Sequence, residues 1–240
     1  MMPRFFLSPE AWGEVALLEG DEARHLGQVL RAGEGERVTV FDGRGRSADA
    51  EVIEVAKRAV RLRLGESRKS AAPVPEVTLA QAVPKGKTMD LIVQKAVELG
   101  VAVIQPLATR HAVARPDARK AEKWQQVALE ACKQCGQDWL PEVREPRDLG
   151  GWLERQVPDE GELRLIASLA EGALPMREVL REAGIPRKLV VLVGPEGDFS
   201  PPETTLAVAR GYRPLSLGPL VLRVETASLC CLAGIRYEFS

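Results

Sequence analysis

The sequence predicts an α/β protein in which a small β-rich domain precedes a larger one built on a parallel sheet. Three observations predict it. The first 70 residues hold short apolar runs with partial alternation, a Ser/Ala/Pro-rich stretch without periodicity follows at 67–76, and beyond it continuous apolar runs alternate with helical patterns. A length of 240 residues suits a small domain joined to a medium one. With 45% hydrophobic and 28% charged residues the composition is globular, neither disordered nor fibrous. No apolar stretch approaches the ~18 to 20 residues of a membrane span, and the start lacks a basic segment followed by a long apolar one. A cytoplasmic protein is expected.

In the first domain, residues 37–42, 47–55 and 59–64 read as strands separated by DGRGR and a basic turn. Short antiparallel strands of this kind close into a small barrel or sandwich. Ahead of them, residues 21–35 read as a short helix capped by Asp21 and closed by Gly33 and Gly35, with Leu26, Val29 and Leu30 on one face. The domain boundaries are set at 1–70 and 77–240, with 71–76 as linker. In the second domain, strands are expected at 77–83, 101–107, 163–169, 188–194 and 214–217. Helices are expected at 88–99, near 119–135 and 176–183, from Pro201 and from about 225. Residues 136–150, rich in proline and charge, read as a connection. Apolar runs alternating with helices indicate a buried parallel sheet, in which ligands sit at the carboxyl ends of the strands. The residues just after each run are therefore the place to look.

The net charge of −1 excludes a uniformly basic nucleic-acid binder but leaves room for patches. Residues 57–69 carry six Lys or Arg against one Glu, and 109–123 form a second basic stretch; each suits phosphate or a solvated surface. Cys132, Cys135, Cys230 and Cys231 read as reduced, partly buried thiols. Adjacent Cys230 and Cys231 cannot both aim easily at one ion and no histidine lies near in sequence, so no metal is expected.

Three segments carry possible chemistry. In LVVLVGPEGDFSPPE (189–203) an apolar strand runs into Gly194-Pro195-Glu196-Gly197, and Ser200, Pro201 and Glu203 mark the next helix with a capping box. The glycines permit close backbone approach to a ligand, and the absence of the P-loop lysine disfavours a triphosphate cradle. In LSLGPLVLRVETAS (215–228), Gly218-Pro219 interrupts an apolar run, and Arg223 and Glu225 flank Val224. Burying those charges unpaired would be costly, so they face a cleft, an interface or each other. In KGKTMDLIVQKAVELGV (85–101) an amphipathic helix ends at Gly100, and Lys85 and Lys87 occupy the loop before it, suited to phosphate or to solvent.

Together, GPEGDFSPPE, LGPLVLRVETA and KGK…QKAVELG, in this order behind a small β-rich domain, closely resemble the ribosomal RNA small-subunit methyltransferase E family, a branch of the SPOUT methyltransferases. HLGQVLRAGEG near the start and KWQQVALEACKQCGQDWLPEV at 123–143 extend the likeness over nearly the whole chain. The resemblance implies a PUA-like β-barrel domain that binds RNA, then a SPOUT-type α/β domain whose parallel sheet ends in a C-terminal trefoil knot, an exception to the rule against threaded loops. It implies a homodimer through that domain that uses S-adenosyl-L-methionine to methylate N3 of a uridine in the decoding region of 16S rRNA, on the small ribosomal subunit. Ser168, Leu192, Gly194, Pro195, Leu217, Gly218, Leu220 and Leu222 would then form the cofactor site. Arg223 and Glu225, with Glu196 as the competing carboxylate, would carry catalysis. Arg4, His25, Arg31, Lys85, Lys87 and Arg110 would contact RNA. Relatives usually have an arginine just after the QC or QS of the long helix, where this chain has Gly136-Gln137-Asp138.

Rival readings are a SPOUT enzyme acting on tRNA or 23S rRNA, a non-catalytic RNA-binding protein that keeps the scaffold, and a nucleotide-binding α/β enzyme using the GPEG turn for phosphate.

Overall fold

The computed structural model describes residues 2–111, 117–157, 159–170 and 172–239. The chain divides into two compact units, residues 1–72 with 132–140, and residues 73–131 with 141–240. No helix among the described residues is long and apolar enough to cross a membrane.

The first unit is built on β1 (Arg4–Phe6), β2 (Val15–Glu19), β3 (Arg37–Phe41), β4 (Arg46–Val55) and β5 (Ala59–Lys69), with a 3-10 turn at Pro9–Ala11. The sheet order is β1-β3-β4-β5-β2, with β1 parallel to β3 and the other pairs antiparallel. The end strands β1 and β2 are not hydrogen-bonded to each other, so the expected barrel takes the form of a five-stranded sheet. Alternation along β4 and β5 sends Ala48, Ala50, Val52, Val60 and Leu62 into a core completed by Phe5, Leu18, Leu26, Val38 and Val40. Strand β5 runs through Lys69, so the first residues of the stretch that lacks periodicity are paired rather than linking.

Between β2 and β3, α1 (Gly20–Arg24) passes into a π-helical turn, His25–Val29. This corrects the expected apolar face. Leu26 is buried, but Val29 is 64% and Leu30 45% exposed. The wider turn shifts the later residues off the core side, and Arg31, at φ 56°, ends the helix before Gly33. Glu19, not Asp21, occupies the N-cap position.

Residues 132–140, expected as helix end and connection of the second domain, belong to the first unit. Lys133 Nζ lies 2.8 Å from Glu22 Oε1, and Trp139 covers Gly45, where a Cβ would come within 2.6 Å of the indole. Glycine is required there on steric grounds.

The second unit contains β6 (Glu76–Ala82), α2 (Thr88–Glu98), β7 (Val103–Ala108), α3 (Ala118–Cys135) up to Ala131, β8 (Glu142–Val143), β9 (Arg147–Asp148) and α4 (Leu149–Glu154). It continues with β10 (Glu162–Ala167), β11 (Leu174–Pro175), α5 (Met176–Ala183), β12 (Lys188–Val193), α6 (Pro201–Ala209), β13 (Arg213–Ser216) and α7 (Val224–Phe239). The strands form one parallel sheet in the order β11-β13-β10-β12-β6-β7-β8, with β9 also on β7. The central strands are buried along nearly their whole length, which is why they read as unbroken apolar runs. Leu107, Leu153, Ile166, Val190, Leu192 and Phe199 share one core cluster. The α6 cap forms as expected, with Ser200 N–H donating to Glu203 Oε2 at 2.8 Å.

Candidate functional site

The carboxyl ends of β10, β12 and β13 open onto a cavity of about 440 Å³, within the range of small-molecule sites. Ala167 and Ser168 continue β10, Val193, Gly194 and Pro195 continue β12, and Leu217 and Gly218 continue β13. The segment Leu220–Val224 forms a further wall, and Glu225 and Ala227 enter from the first turn of α7. Thr88, at the start of α2, completes the lining.

Close backbone approach shapes this site. A Cβ on Gly194 would meet Asp198 Oδ1 at 3.1 Å and the Phe199 ring at 3.4 Å, so any side chain there would have to push these neighbours aside. Asp198 takes φ 58°, and its Oδ1 accepts the Phe199 N–H at 2.7 Å, a local bond that offsets part of the strain. Gly218 sits at φ 110°, a conformation side chains rarely tolerate.

The cavity brings together Ser168, Gly194, Pro195, Leu217, Gly218, Leu220 and Leu222 with Glu196, Arg223 and Glu225. Leu192 is the correction. It is fully buried in the core cluster, and its neighbour Val193 lines the cavity instead, because successive strand residues face opposite sides of the sheet. Among the described residues no side-chain hydrogen bond or ion pair engages Arg223 or Glu225, whereas Glu196 Oε1 accepts the backbone N–H of Lys85 at 3.0 Å. The base of α7 is fixed from below. Fully buried Ser228 donates through Oγ to Gln81 Oε1 on β6 at 2.5 Å, and Gln81 Nε2 donates to the Ala82 carbonyl at 2.9 Å. A satisfied buried polar pair of this kind locks the register of α7, and with it the position of Glu225.

The RNA-contact candidates are distributed unevenly. Lys85, Lys87 and Arg110 are exposed on loops that follow β6 and β7, at the same strand ends as the cavity. Arg31 is exposed in the first unit, and His25 stacks edge-on against Phe5 with ring centroids 5.7 Å apart. Arg4 departs from expectation. Its side chain is 12% exposed, pairs with Asp138 at 2.6 Å and lies over the Phe41 ring, so it is a structural cation. Asp138 also accepts from Ser47 Oγ at 3.0 Å, so the Gly136-Gln137-Asp138 segment serves the packing of the first unit. The basic stretch 57–69 is likewise neutralised in part, since Arg61, Arg63 and Arg68 pair with Glu54, Glu51 and Asp49 of β4. Residues 112–116 of the second basic stretch lie outside the described residues.

Sequence reasoning missed Thr88, Asp198, the Gln81–Ser228 pair and the partners of His111, which it read as structural or an RNA contact. The imidazole of His111 has Nδ1 3.0 Å from each of the Gly197 and Asp198 carbonyl oxygens. Cys132 is buried, and desolvation pushes its thiol up to about 12, which makes it inert near neutral pH. Among the described residues no three His, Cys, Asp or Glu side chains converge as metal ligands.

A parallel sheet with a ligand-sized cavity at its strand ends, glycine-shaped and flanked by free charges, defines the class of α/β proteins that hold a small organic ligand there. Residues 70–236 match the model of an RNA methyltransferase domain, and residues 18–65 match that of an RNA methyltransferase PUA domain. A ribosomal RNA small subunit methyltransferase E of Synechocystis is 33% identical over 98% of this chain and 77% of its own length. Another, from Aquifex aeolicus, is 31% identical over 92% and 94%. The chain belongs to the ribosomal RNA small subunit methyltransferase E family. Among solved structures, the family member from Neisseria gonorrhoeae, bound to S-adenosyl methionine, superposes with a TM-score of 0.89 at 30% identity, covering 99% of this chain and 98% of its own. A methyltransferase from Legionella pneumophila with bound cofactor SAM gives 0.89 at 33% identity over the same shares.

Proposed function

We propose that this chain uses S-adenosyl-L-methionine to methylate N3 of a uridine in the decoding region of 16S rRNA, on assembled small ribosomal subunits in the cytoplasm. The strand-end cavity carries this reading. Its features fit the cofactor: Leu217, Leu220 and Leu222 offer apolar surface to an adenine, Gly194 and Gly218 leave backbone open to the nucleoside, and Glu196 and Asp198 supply negative charge for a cationic sulfonium. When bound, the cofactor supplies an electrophilic methyl group.

The chain's own residues then have two tasks. They must hold the acceptor base in near-attack geometry, and they must remove the N3 proton, since uridine keeps it at neutral pH and is a poor nucleophile until it leaves. Glu225 is the base in this reading. It lines the cavity on a rigid helix start and is engaged by no other side chain, while Glu196 is occupied in holding Lys85. A positioned base of this kind contributes ~10² to 10⁴-fold. Arg223, two residues away and equally free, stabilises the negative charge that develops on the uracil oxygens.

Within the same reading, residues 1–70, joined by 132–140, form the RNA-binding domain, and the methyltransferase domain follows the linker without that segment. His25, Arg31, Lys85, Lys87 and Arg110 remain the RNA-contact set. A C-terminal trefoil knot after β13 belongs to the same reading. Dimerisation through this domain is supported by exposed apolar side chains, Leu220 at 73%, Val221 at 78% and Tyr237 at 87%. A monomer in light scattering at micromolar concentration would overturn it. The substrate is tested by nucleoside mass spectrometry after incubating the protein and labelled S-adenosylmethionine with unmodified small subunits, large-subunit RNA and tRNA separately. Label in 3-methyluridine of the small subunit alone is expected. Label in another RNA would overturn the substrate, and absence of cofactor binding would overturn the enzyme.

A further inference from the structure

We propose that His111 is a positioning residue that couples its neighbour Arg110 to the cofactor cavity, so that RNA engagement and cofactor binding strengthen each other. This rests on the reading of the cavity given above. The geometry starts from a hydrogen bond whose polarity is fixed. His111 Nδ1 lies 3.0 Å from the carbonyl oxygens of both Gly197 and Asp198. Carbonyl oxygens only accept, so Nδ1 carries a proton and donates to the pair. Gly197 makes room for this contact, since a Cβ there would stand 3.2 Å from His111 Cβ and 3.5 Å from Cγ.

The residue before His111 grips the same element. The Arg110 N–H donates to Glu203 Oε1 at 2.8 Å, while Glu203 Oε2 accepts from Ser200 to cap α6. Two consecutive residues of one loop thus hold the turn at Gly197–Asp198 and the helix that follows it. The same turn gives Gly194, Pro195, Glu196 and Asp198 to the cavity lining. Asp198 at φ 58° persists only where its surroundings over-determine it, and the bond from His111 to its carbonyl is one of those constraints. A ligand held by the turn therefore favours the position of His111 that places Arg110 beside it, and RNA that engages Arg110 favours the turn as His111 holds it. Such coupling is reciprocal by thermodynamic necessity.

The test measures the affinity of unmodified small ribosomal subunits for the full-length protein with and without saturating S-adenosylhomocysteine, and the affinity of S-adenosylhomocysteine with and without subunits. Wild type is expected to show about fivefold to tenfold tightening in both directions. In His111→Ala the factor falls to about 1, while each affinity measured alone changes by less than about twofold, the pattern expected when only the coupling free energy is lost. His111→Asn restores most of the coupling, because its side-chain amide can donate from nearly the position of Nδ1. Gly197→Ala, which presses on the imidazole without removing it, loses coupling as His111→Ala does, and the double variant loses no more. A wild-type factor of 1, coupling intact in His111→Ala, or no rescue by Asn would each overturn the proposal. Failure of S-adenosylhomocysteine to bind alone would instead bring down the cofactor reading on which it stands, and the proposal with it.

Discussion

The β4–β5 hairpin and the segment from Leu217 to Glu225 both carry charges that stand out in the sequence, and the fold uses them in opposite ways. On the hairpin the antiparallel register places Arg63 opposite Glu51, and Arg68 lies 2.8 Å from Asp49, so cations meet carboxylates across the strands. At the cavity, Arg223 and Glu225 have no such partners among the described residues. The density of charge along the chain therefore says little about function. What distinguishes the site is charge left unspent where a strand or helix ends at a cavity.

The largest effect that would sharpen this contrast is on turnover. Glu225→Gln is expected to slow single-turnover methyl transfer by about 10² to 10⁴-fold, and Arg223→Ala by about 10² to 10³-fold, with cofactor affinity by calorimetry nearly unchanged. Turnover at the wild-type rate in either variant would remove that residue from the mechanism. Arg68→Ala serves as the contrasting variant, expected to transfer methyl groups at the wild-type rate.

A second comparison lies within the first unit, where burial decides what a pair is worth. Lys133 and Glu22 meet at 2.8 Å with side chains 8% and 15% exposed, and Glu22 Oε2 also accepts the Phe6 N–H at 3.1 Å. Lys133→Ala leaves that carboxylate desolvated without its cation. A loss of about 3 kcal/mol is expected, read from the urea midpoint at constant slope. A loss below about 1 kcal/mol would mean that water replaces the lysine and that the pair behaves as a surface one.

How much of this was legible in the sequence follows the same division between local and distant. Strands such as Lys188–Val193 and helices such as Thr88–Glu98 were readable because burial on both faces leaves an unbroken apolar run, and one buried face leaves a helical period. Strands of two or three residues, such as β1, β8, β9 and β11, carry no period and were missed. The cavity residues Gly194 and Gly218 were legible because ligand sites gather where parallel strands end, whereas Ser168 came only with the family resemblance. Leu192 was misread by one position, which in a strand means the opposite face. The contact of His111 with the Gly197–Asp198 turn and the Gln81–Ser228 pair were invisible, since the partners lie 86 and 147 residues apart. The same distance hid the role of 132–140, whose Asp138 reaches back to Arg4 across 134 residues.

The smallest expected effect tests the hairpin itself. The hydrogen bond from Arg68, more than its general charge, holds the Asp49 carboxyl below the usual carboxylate range. A carboxylate depressed in the folded state adds stability above its unfolded pKa of about 3.9 and loses it as pH falls through the folded value. Arg68→Ala should therefore cost stability at neutral pH, and the difference from wild type should vanish as the solution is acidified through the lowered folded-state value of Asp49. Because Arg68 and Asp49 are 58% and 45% exposed, water and salt screen the pair. The cost should stay below about 1 kcal/mol and shrink further in 1 M salt. A difference that survives acid would show that the arginine acts through packing of its aliphatic stem, and the hairpin would then owe its charges to the same kind of burial that makes Lys133 matter.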